Sequence, residues 1–319
     1  MRELAVPSSV RQPKLFPIQL ADTNIAGPYT NMDVHFSVSS ATIENRQTEA
    51  VTVVGGNAAC GVVVLCDHAS NALPPEYGTL GLEPGELARH IAYDIGAEAV
   101  TRGLAARLGA PAVLSRFSRL LIDPNRGEDD PTLIMRISDG AVIAGNRHLD
   151  AAERTHRINR FYAPYHIAIA AVLDDCLRTA IVPIIVSMHS FTPIWRGAPR
   201  PWHAGILWDK DPRLARPLIE SLRSDRTLVV GDNEPYSGIL EGDTLWKHAT
   251  QRGLANALVE VRQDLISTRA GQDEWSDRLA SIVTSLLANP DHKSSMQTVE
   301  HYGSHSDIWQ IEPMTRGKR

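Results

Sequence analysis

Apolar positions along the chain fall into two alternating patterns. Short apolar runs stand at Gly61 to Cys66, Ala112 to Leu114, Leu120 to Ile122, Pro183 to Met188, Gly205 to Trp208, Thr227 to Val230 and Ala257 to Val261. They have the length of strands, and the longest lack the polar alternation of a half-solvated sheet, so they predict strands buried on both faces. Between them lie longer amphipathic stretches: Pro84 to Leu108 with Glu86, Arg89 and Arg102 on its polar side, Ala151 to Ala180 with an interruption near Pro164, and a last helix over roughly Asp273 to Leu287. This alternation predicts one three-layer α/β domain. Residues 1–50 are rich in Pro, Ser, Thr, Asn and Gln and follow neither period, which predicts a loosely ordered N-terminal extension, with Met32 as an alternative start. The folded domain is expected over residues 51–288, and residues 289–319, opening at Asn289-Pro290, read as a peripheral tail.

Composition narrows the function classes. Of 319 residues, 32 are Lys or Arg and 37 are Asp or Glu, a formal net charge of -5 that supplies no global positive field for nucleic acid. Cys60, Cys66 and Cys176 form no thiolate zinc pattern and suit a reducing compartment. The apolar runs are far shorter than the ~18 residues that span a bilayer. No secretory signal is evident, so a cytoplasmic protein without a membrane partner is expected. The oligomeric state is left open.

In open α/β sheets ligands bind beyond the carboxyl ends of the strands. There the chain places Asp67-His68-Ala69-Ser70-Asn71, Asp123-Pro124-Asn125-Arg126, His189-Ser190-Phe191-Thr192 and Glu260-Val261-Arg262. Two histidines from separate strand ends plus a carboxylate form the ligand set of a catalytic zinc, which keeps a fourth position open. His68 and His189 are the candidate pair, against the alternative of two hydrogen-bonded core histidines. For the third ligand Asp67, Asn71 and Asp94 compete. Asp67 should point to the opposite face from His68 and so suits orienting a histidine. Asn71 offers only an amide. Asp94 is the preferred third ligand, with helix capping as its alternative. Glu260, a lone carboxylate in an apolar strand, should carry a raised pKa suited to a general base, unless it pairs with Arg262 on the same strand face. Arg126 offers a bidentate fork for a substrate acid, Asn125 adds an amide donor, and Arg119 either joins them or pairs with Asp123.

The segments 66–74, 118–126, 187–193, 231–236 and 259–265, in that order, resemble the N-formylglutamate amidohydrolase family over about residues 60–285. The resemblance implies a three-layer α/β/α sandwich with a mixed, mostly parallel central sheet, as in zinc carboxypeptidases and aspartoacylases. It also implies hydrolysis of N-formyl-L-glutamate to formate and glutamate in histidine degradation, with hydrolysis of another N-acyl amino acid, a carboxypeptidase-like cut or non-catalytic carboxylate binding as the alternatives. In those relatives an Asn-Arg pair grips the substrate carboxylate and a strand-end Glu acts as base, which implies those roles for Asn125, Arg126 and Glu260. Zn2+, or another divalent metal, is the implied cofactor and a small acidic N-acyl amino acid the implied partner. Arg262 is expected at a second substrate carboxylate or at the developing oxyanion, and the Phe191, Trp195 and Trp202 region is expected to close a small pocket. Asp67-His68 departs from the Glu-His often found at this point, and Asn71 from the Glu of an HxxE pair.

Overall fold

The computed structural model describes residues 41–307. Its main sheet has eight strands: β1 (Arg46–Gln47), β2 (Val51–Val54), β3 (Val62–Cys66), β4 (Ala112–Ser115), β5 (Ile184–Phe191), β6 (Ala204–Leu207), β7 (Val230–Asp232) and β8 (Asn256–Arg262). They lie in the order β7-β6-β8-β5-β3-β4-β2-β1. The central β8-β5-β3-β4 ladder is parallel, as is β6-β7, whereas β6 with β8, β4 with β2 and β2 with β1 run antiparallel. The sheet is therefore mixed and mostly parallel, as expected.

Side-chain alternation on the strands builds two cores. Val63, Leu65, Val113 and Ile185 face one way and pack with Tyr165, Ile169, Val172 and Leu173 of α3 (Ala163–Arg178). Val62, Val64, Ile184, Val186 and Val259 face the other way, against α1 (Ala97–Leu108), α4 (Pro212–Ser224) and α6 (Arg269–Ala288). Every residue of β3 and β5 is buried, which explains why these strands read as continuous apolar runs. The architecture is a three-layer α/β sandwich. From β3 the chain crosses through α1 to β4 on one side, and later returns through α3 to β5 on the other side of β3. The carboxyl ends of β3 and β5 thus flank a topological switch point, where open sheets of this kind leave a crevice. Among the described residues no helix is long and apolar enough to cross a membrane.

The helical stretch after residue 150 is broken near Pro164 as expected: α2 (Ala151–Arg157) passes through a π turn, Ile158–Tyr162, before α3. Proline has no N–H for the preceding turn, and the wider turn absorbs the mismatch.

Several boundaries differ from the sequence reading. Leu120, Leu121 and Ile122 are fully buried, yet they form a turn in which Leu121 N donates to Ser118 O. This loop packs into the core cluster on the α3 side of the sheet and meets the same burial demand as a strand. The 1–50 extension is cut short, because Thr42–Ile43 pairs with Gly56–Asn57 and β1 joins the main sheet; its remainder, residues 1–40 with Met32, lies outside the described residues. The tail is integrated as far as it is described. A further helix, α7 (Pro290–Met296), buries Met296, and the buried Arg213 guanidinium donates to the carbonyls of Ser295, Thr298 and Glu300.

Candidate metal and catalytic site

Strand periodicity delivers the first pair of side chains. Asp67, one residue beyond β3, continues the parity of Val63 and Leu65 and points under α3. There its carboxylate accepts from the Tyr165 hydroxyl at 3.0 Å, Thr244 Oγ1 at 2.6 Å and Ser187 Oγ at 3.1 Å. The next residue, His68, leaves the strand, and its carbonyl accepts the Asp94 amide at 2.9 Å, which draws the 90–96 loop across the end of the sheet. Gly96 can take the cap position of α1 because its φ of 82° suits glycine and an added Cβ would lie 2.4 Å from the Ile266 carbonyl oxygen. The Asp94 carboxylate is therefore not a helix cap. It faces His68 and His189 instead.

His68, Asp94 and His189 bring one ligand atom each to within 4.8 Å of one another, and all three residues are buried. Asp94 Oδ2 lies 3.4 Å from His68 Nδ1 and 2.8 Å from His189 Nδ1. The longer separation matches the edge of a tetrahedron with bonds of about 2.1 Å. The far side of each ring is anchored by a carboxylate: His68 Nε2 meets Asp123 Oδ1 at 2.7 Å, and His189 Nε2 meets Asp67 Oδ2 at 2.9 Å. Such carboxylate–histidine contacts fix the ring and raise its basicity as a ligand. His68 Nδ1 is buried with no hydrogen-bond partner among the described residues, although an imidazole nitrogen in that position calls for a proton acceptor, a donor or a cation.

The local charge points the same way. Burial opposes ionisation of Asp67, Asp94 and Asp123. The His189 hydrogen bond to Asp67, the two imidazoles facing Asp94 and the Arg119 guanidinium beside Asp123 outweigh it and hold all three carboxyls well below their usual range. Burial also disfavours a charged His189, yet its bonds to Asp67 and Asp94 raise its pKa well above the ordinary imidazole value. Asp94 and Asp123 face the Arg119 guanidinium and Asp67 faces His189, so the buried negative charge calls for a protonated imidazole or a bound cation to balance it. The donor set fits a divalent metal held by His68, Asp94 and His189.

Glu260 stands next to this group by strand register. In the parallel β5–β8 ladder Glu260 pairs with His189, so both side chains project from the same face. Burial pushes Glu260 up to about 7, and its Oε2 has no hydrogen-bond partner among the described residues. The ion pair with Arg262 does not form. The Arg262 guanidinium binds the Asp264 carboxylate at 2.7 Å and the carbonyls of Arg200 and Trp202.

These groups open into a cavity of about 280 Å³. His68, Asp94, His189, Glu260, Arg119, Asn125 and Arg126 line it, whereas Arg262 does not, so the expectation that Arg262 reaches a substrate fails. Arg119 bridges Asp123 at 2.9 Å and Asp94 at 3.6 Å, the structural pairing that competed with direct binding. Asn125 Oδ1 accepts the Thr244 amide, which leaves its NH2 as the donor end. Arg126 donates through Nε to Thr132 and through one terminal nitrogen to the Asn125 carbonyl. Of the aromatic trio, Phe191 lines the cavity, while Trp195 lies against Arg200 and Trp202 donates to Glu234. Trp208, Tyr236 and Trp246 join Phe191 as the aromatic walls. Asn71 donates to the Leu87 carbonyl and stands outside the ligand trio.

The sequence reading missed one whole element of the site. Helix α5 (Thr244–His248), capped by the Asp243 carboxylate on the Trp246 amide at 2.6 Å, carries Thr244 onto Asp67 and Trp246 into the cavity wall. Its only sequence signal is an Asp at a helix start. Burial pushes Asp243 up to about 7, and it too faces the cavity.

Comparison with known proteins gives a family and a shared fold. The family model described as N-formylglutamate amidohydrolase matches residues 60–267. No curated protein matches the chain. Among solved structures, a gene product of Agrobacterium tumefaciens is 35% identical, with a TM-score of 0.71 over 76% of this chain and 96% of its own. An N-formylglutamate amidohydrolase from Ralstonia eutropha is 23% identical, with a TM-score of 0.54 over 76% of this chain and 98% of its own, and shares the fold. With the family model covering more than half of its length, the chain belongs to the N-formylglutamate amidohydrolase family, whose members hydrolyse amides.

Proposed function

We propose that the protein is a metal-dependent deformylase that hydrolyses N-formyl-L-glutamate to formate and L-glutamate, with zinc held by His68, Asp94 and His189. The observation that carries this reading is the juxtaposition of that buried ligand trio with an unpartnered Glu260 whose pKa is pushed up to about 7. Two imidazole nitrogens and one carboxylate are the protein ligands of many catalytic zinc sites. A divalent cation there would supply Lewis acidity, polarising the amide carbonyl and acidifying water.

The chain's own residues do the rest. Glu260 Oε2 accepts a proton from the attacking water as the water oxygen bonds to the formyl carbon. When the C–N bond breaks, the electron pair stays on nitrogen and Glu260 returns the proton there. A carboxyl poised near neutrality serves both halves of this relay. Arg126 and the Asn125 NH2 grip a substrate carboxylate. Arg119 keeps Asp94 and Asp123 charged and in place. The cavity, at about 280 Å³, lies at the small end for ligand pockets and suits a compact acyl amino acid.

The test is formate release by metal-replete protein from N-formyl-L-glutamate, compared with acyl release from its acetyl and succinyl counterparts. Chelation should abolish turnover and zinc restore it. Glu260→Gln should retain the metal and lose at least ~10²-fold in kcat. No release of formate from the formyl compound, or near-normal turnover in Glu260→Gln, would overturn the reading.

A further inference from the structure

Among the described residues, five buried side-chain polar atoms have no hydrogen-bond partner: His68 Nδ1, His90 Nε2, Trp246 Nε1, Glu260 Oε2 and Arg278 Nε. The first four belong to residues that line the one cavity described above. Unpaired buried polar groups are rare in folded proteins because each loses hydration without compensation, so their gathering around one space marks where a polar ligand sits. His68 Nδ1 and Glu260 Oε2 are accounted for by a metal ligand and a proton carrier. His90 Nε2 lies 3.5 Å from the Asp139 carboxylate, which supplies an electrostatic partner. The Trp246 indole remains.

An indole N–H is a donor only, so its complement is an oxygen acceptor. The position of Trp246 identifies which one. Its helix is fastened to the Asn125–Arg126 segment at two points: the Thr244 amide donates to Asn125 Oδ1 at 3.1 Å, and Lys247 Nζ donates to the Arg126 carbonyl at 3.0 Å. At the helix start, the Asp243 carboxylate holds the Trp246 amide at 2.6 Å and fixes the backbone from which the indole projects.

We propose that Trp246 is a substrate-binding residue whose Nε1–H hydrogen-bonds an oxygen of the substrate carboxylate gripped by Asn125 and Arg126. This inference rests on the deformylase reading above and assigns that site a third carboxylate donor. An uncharged donor beside a guanidinium adds direction without adding charge, so it sorts ligands by carboxylate placement where net charge alone would not.

Trp246→Phe keeps an aromatic ring, though a smaller one, and removes the donor. With N-formyl-L-glutamate it should raise KM by ~10–100-fold, the range for losing a hydrogen bond to a charged group, with kcat changed less than about threefold. The dissociation constant of L-glutamate, read by calorimetry, should weaken in parallel while zinc content stays at the wild-type value. In wild-type protein labelled with 15N-tryptophan, L-glutamate should move the indole resonance that is missing from Trp246→Phe, and in a variant that folds poorly this wild-type shift, assigned through Trp246→Tyr, carries the test. Wild-type turnover with an unchanged KM in Trp246→Phe, or an indole resonance indifferent to L-glutamate, overturns this inference alone. Absence of wild-type turnover overturns the deformylase reading, and this inference with it.

Discussion

Asp123 touches no solvent, yet the proposed metal site should be sensitive to it. Its Oδ1 accepts from His68 Nε2 at 2.7 Å and from the Asn125 amide at 2.9 Å, while Oδ2 faces Arg119 at 2.9 Å. Asp123→Asn preserves the shape and removes the charge. If the amide oxygen takes the place of Oδ1, the NH2 points at the Arg119 guanidinium, donor against donor; if the amide flips, the NH2 meets the Asn125 amide and His68 instead. Either way one contact becomes repulsive. Among the described residues Arg119 keeps a single carboxylate partner, Asp94 at 3.6 Å, so the cost should approach about 3 kcal/mol, the lower end for removing one partner of a buried pair. His68 also loses the negative group that orients it and raises its basicity, an effect that weakens metal binding by ~10–100-fold in comparable sites. Competition against a chromophoric chelator measures the second quantity, and urea unfolding of chelated protein the first. A metal dissociation constant within twofold of wild type would refute the reasoning, because it would mean that the His68 to Asp123 contact does not tune the ligand.

Two further outcomes follow from other groups in the cavity. The Asp243 carboxyl is pushed up to about 7 by burial, whereas an unfolded chain ionises it near pH ~4. Between those values the native state holds a proton that the unfolded state has released, so this group's contribution to stability falls as pH rises through the window and is fully unfavourable above it. Asp243→Asn keeps the cap of α5 and cannot titrate. Its stability relative to wild type should therefore increase from pH ~4 to ~7 and then level off, and a pH-independent difference in urea unfolding would contradict this. Arg126→Ala should raise KM for N-formyl-L-glutamate by ~10–100-fold, while Arg262→Ala should leave KM within about twofold. Equal losses in steady-state assays of the two variants would contradict the placement of Arg262 outside the cavity.

The parts of the site carried by buried strands were the most legible in the sequence. His68, His189 and Glu260 each follow or lie in a run of apolar residues, and in an α/β sheet that position is itself a site signal. Asp94 was ambiguous because a carboxylate just before a helix serves equally as a cap; Gly96, whose positive φ starts α1, decides the matter, and that needs coordinates. Arg262 misled because period-two reasoning places it on the face of Glu260 but is blind to Asp264, which captures the guanidinium as the strand ends. Leu120 to Ile122 misled because burial alone does not distinguish a strand from a turn packed into the core. Trp246 and Thr244 were invisible: a five-residue helix has too few turns to show a period, and its partners, Asn125 and Asp67, lie more than a hundred residues away in the chain.

The pairing of Glu260 with His189 is one rung in a ladder of seven consecutive register pairs, from Asn256 with Ile185 to Arg262 with Phe191. Neighbouring strands lie about 4.8 Å apart, and a slip of one residue would turn Glu260 to the opposite face. The backbone therefore acts as a ruler between the proposed proton carrier and the proposed metal ligand, graduated in whole residues and rigid against intermediate settings. The intervening residues 192–255 include β6, which pairs with β8 beside Glu260, and α5, whose Thr244 holds the Asp67 behind His189, so these parts are tied to the same rung. The loop between β7 and α5, which carries Tyr236 into the cavity wall, is free of that ladder. Changes confined to this loop would reshape the wall while the spacing of Glu260 and His189 stays the same.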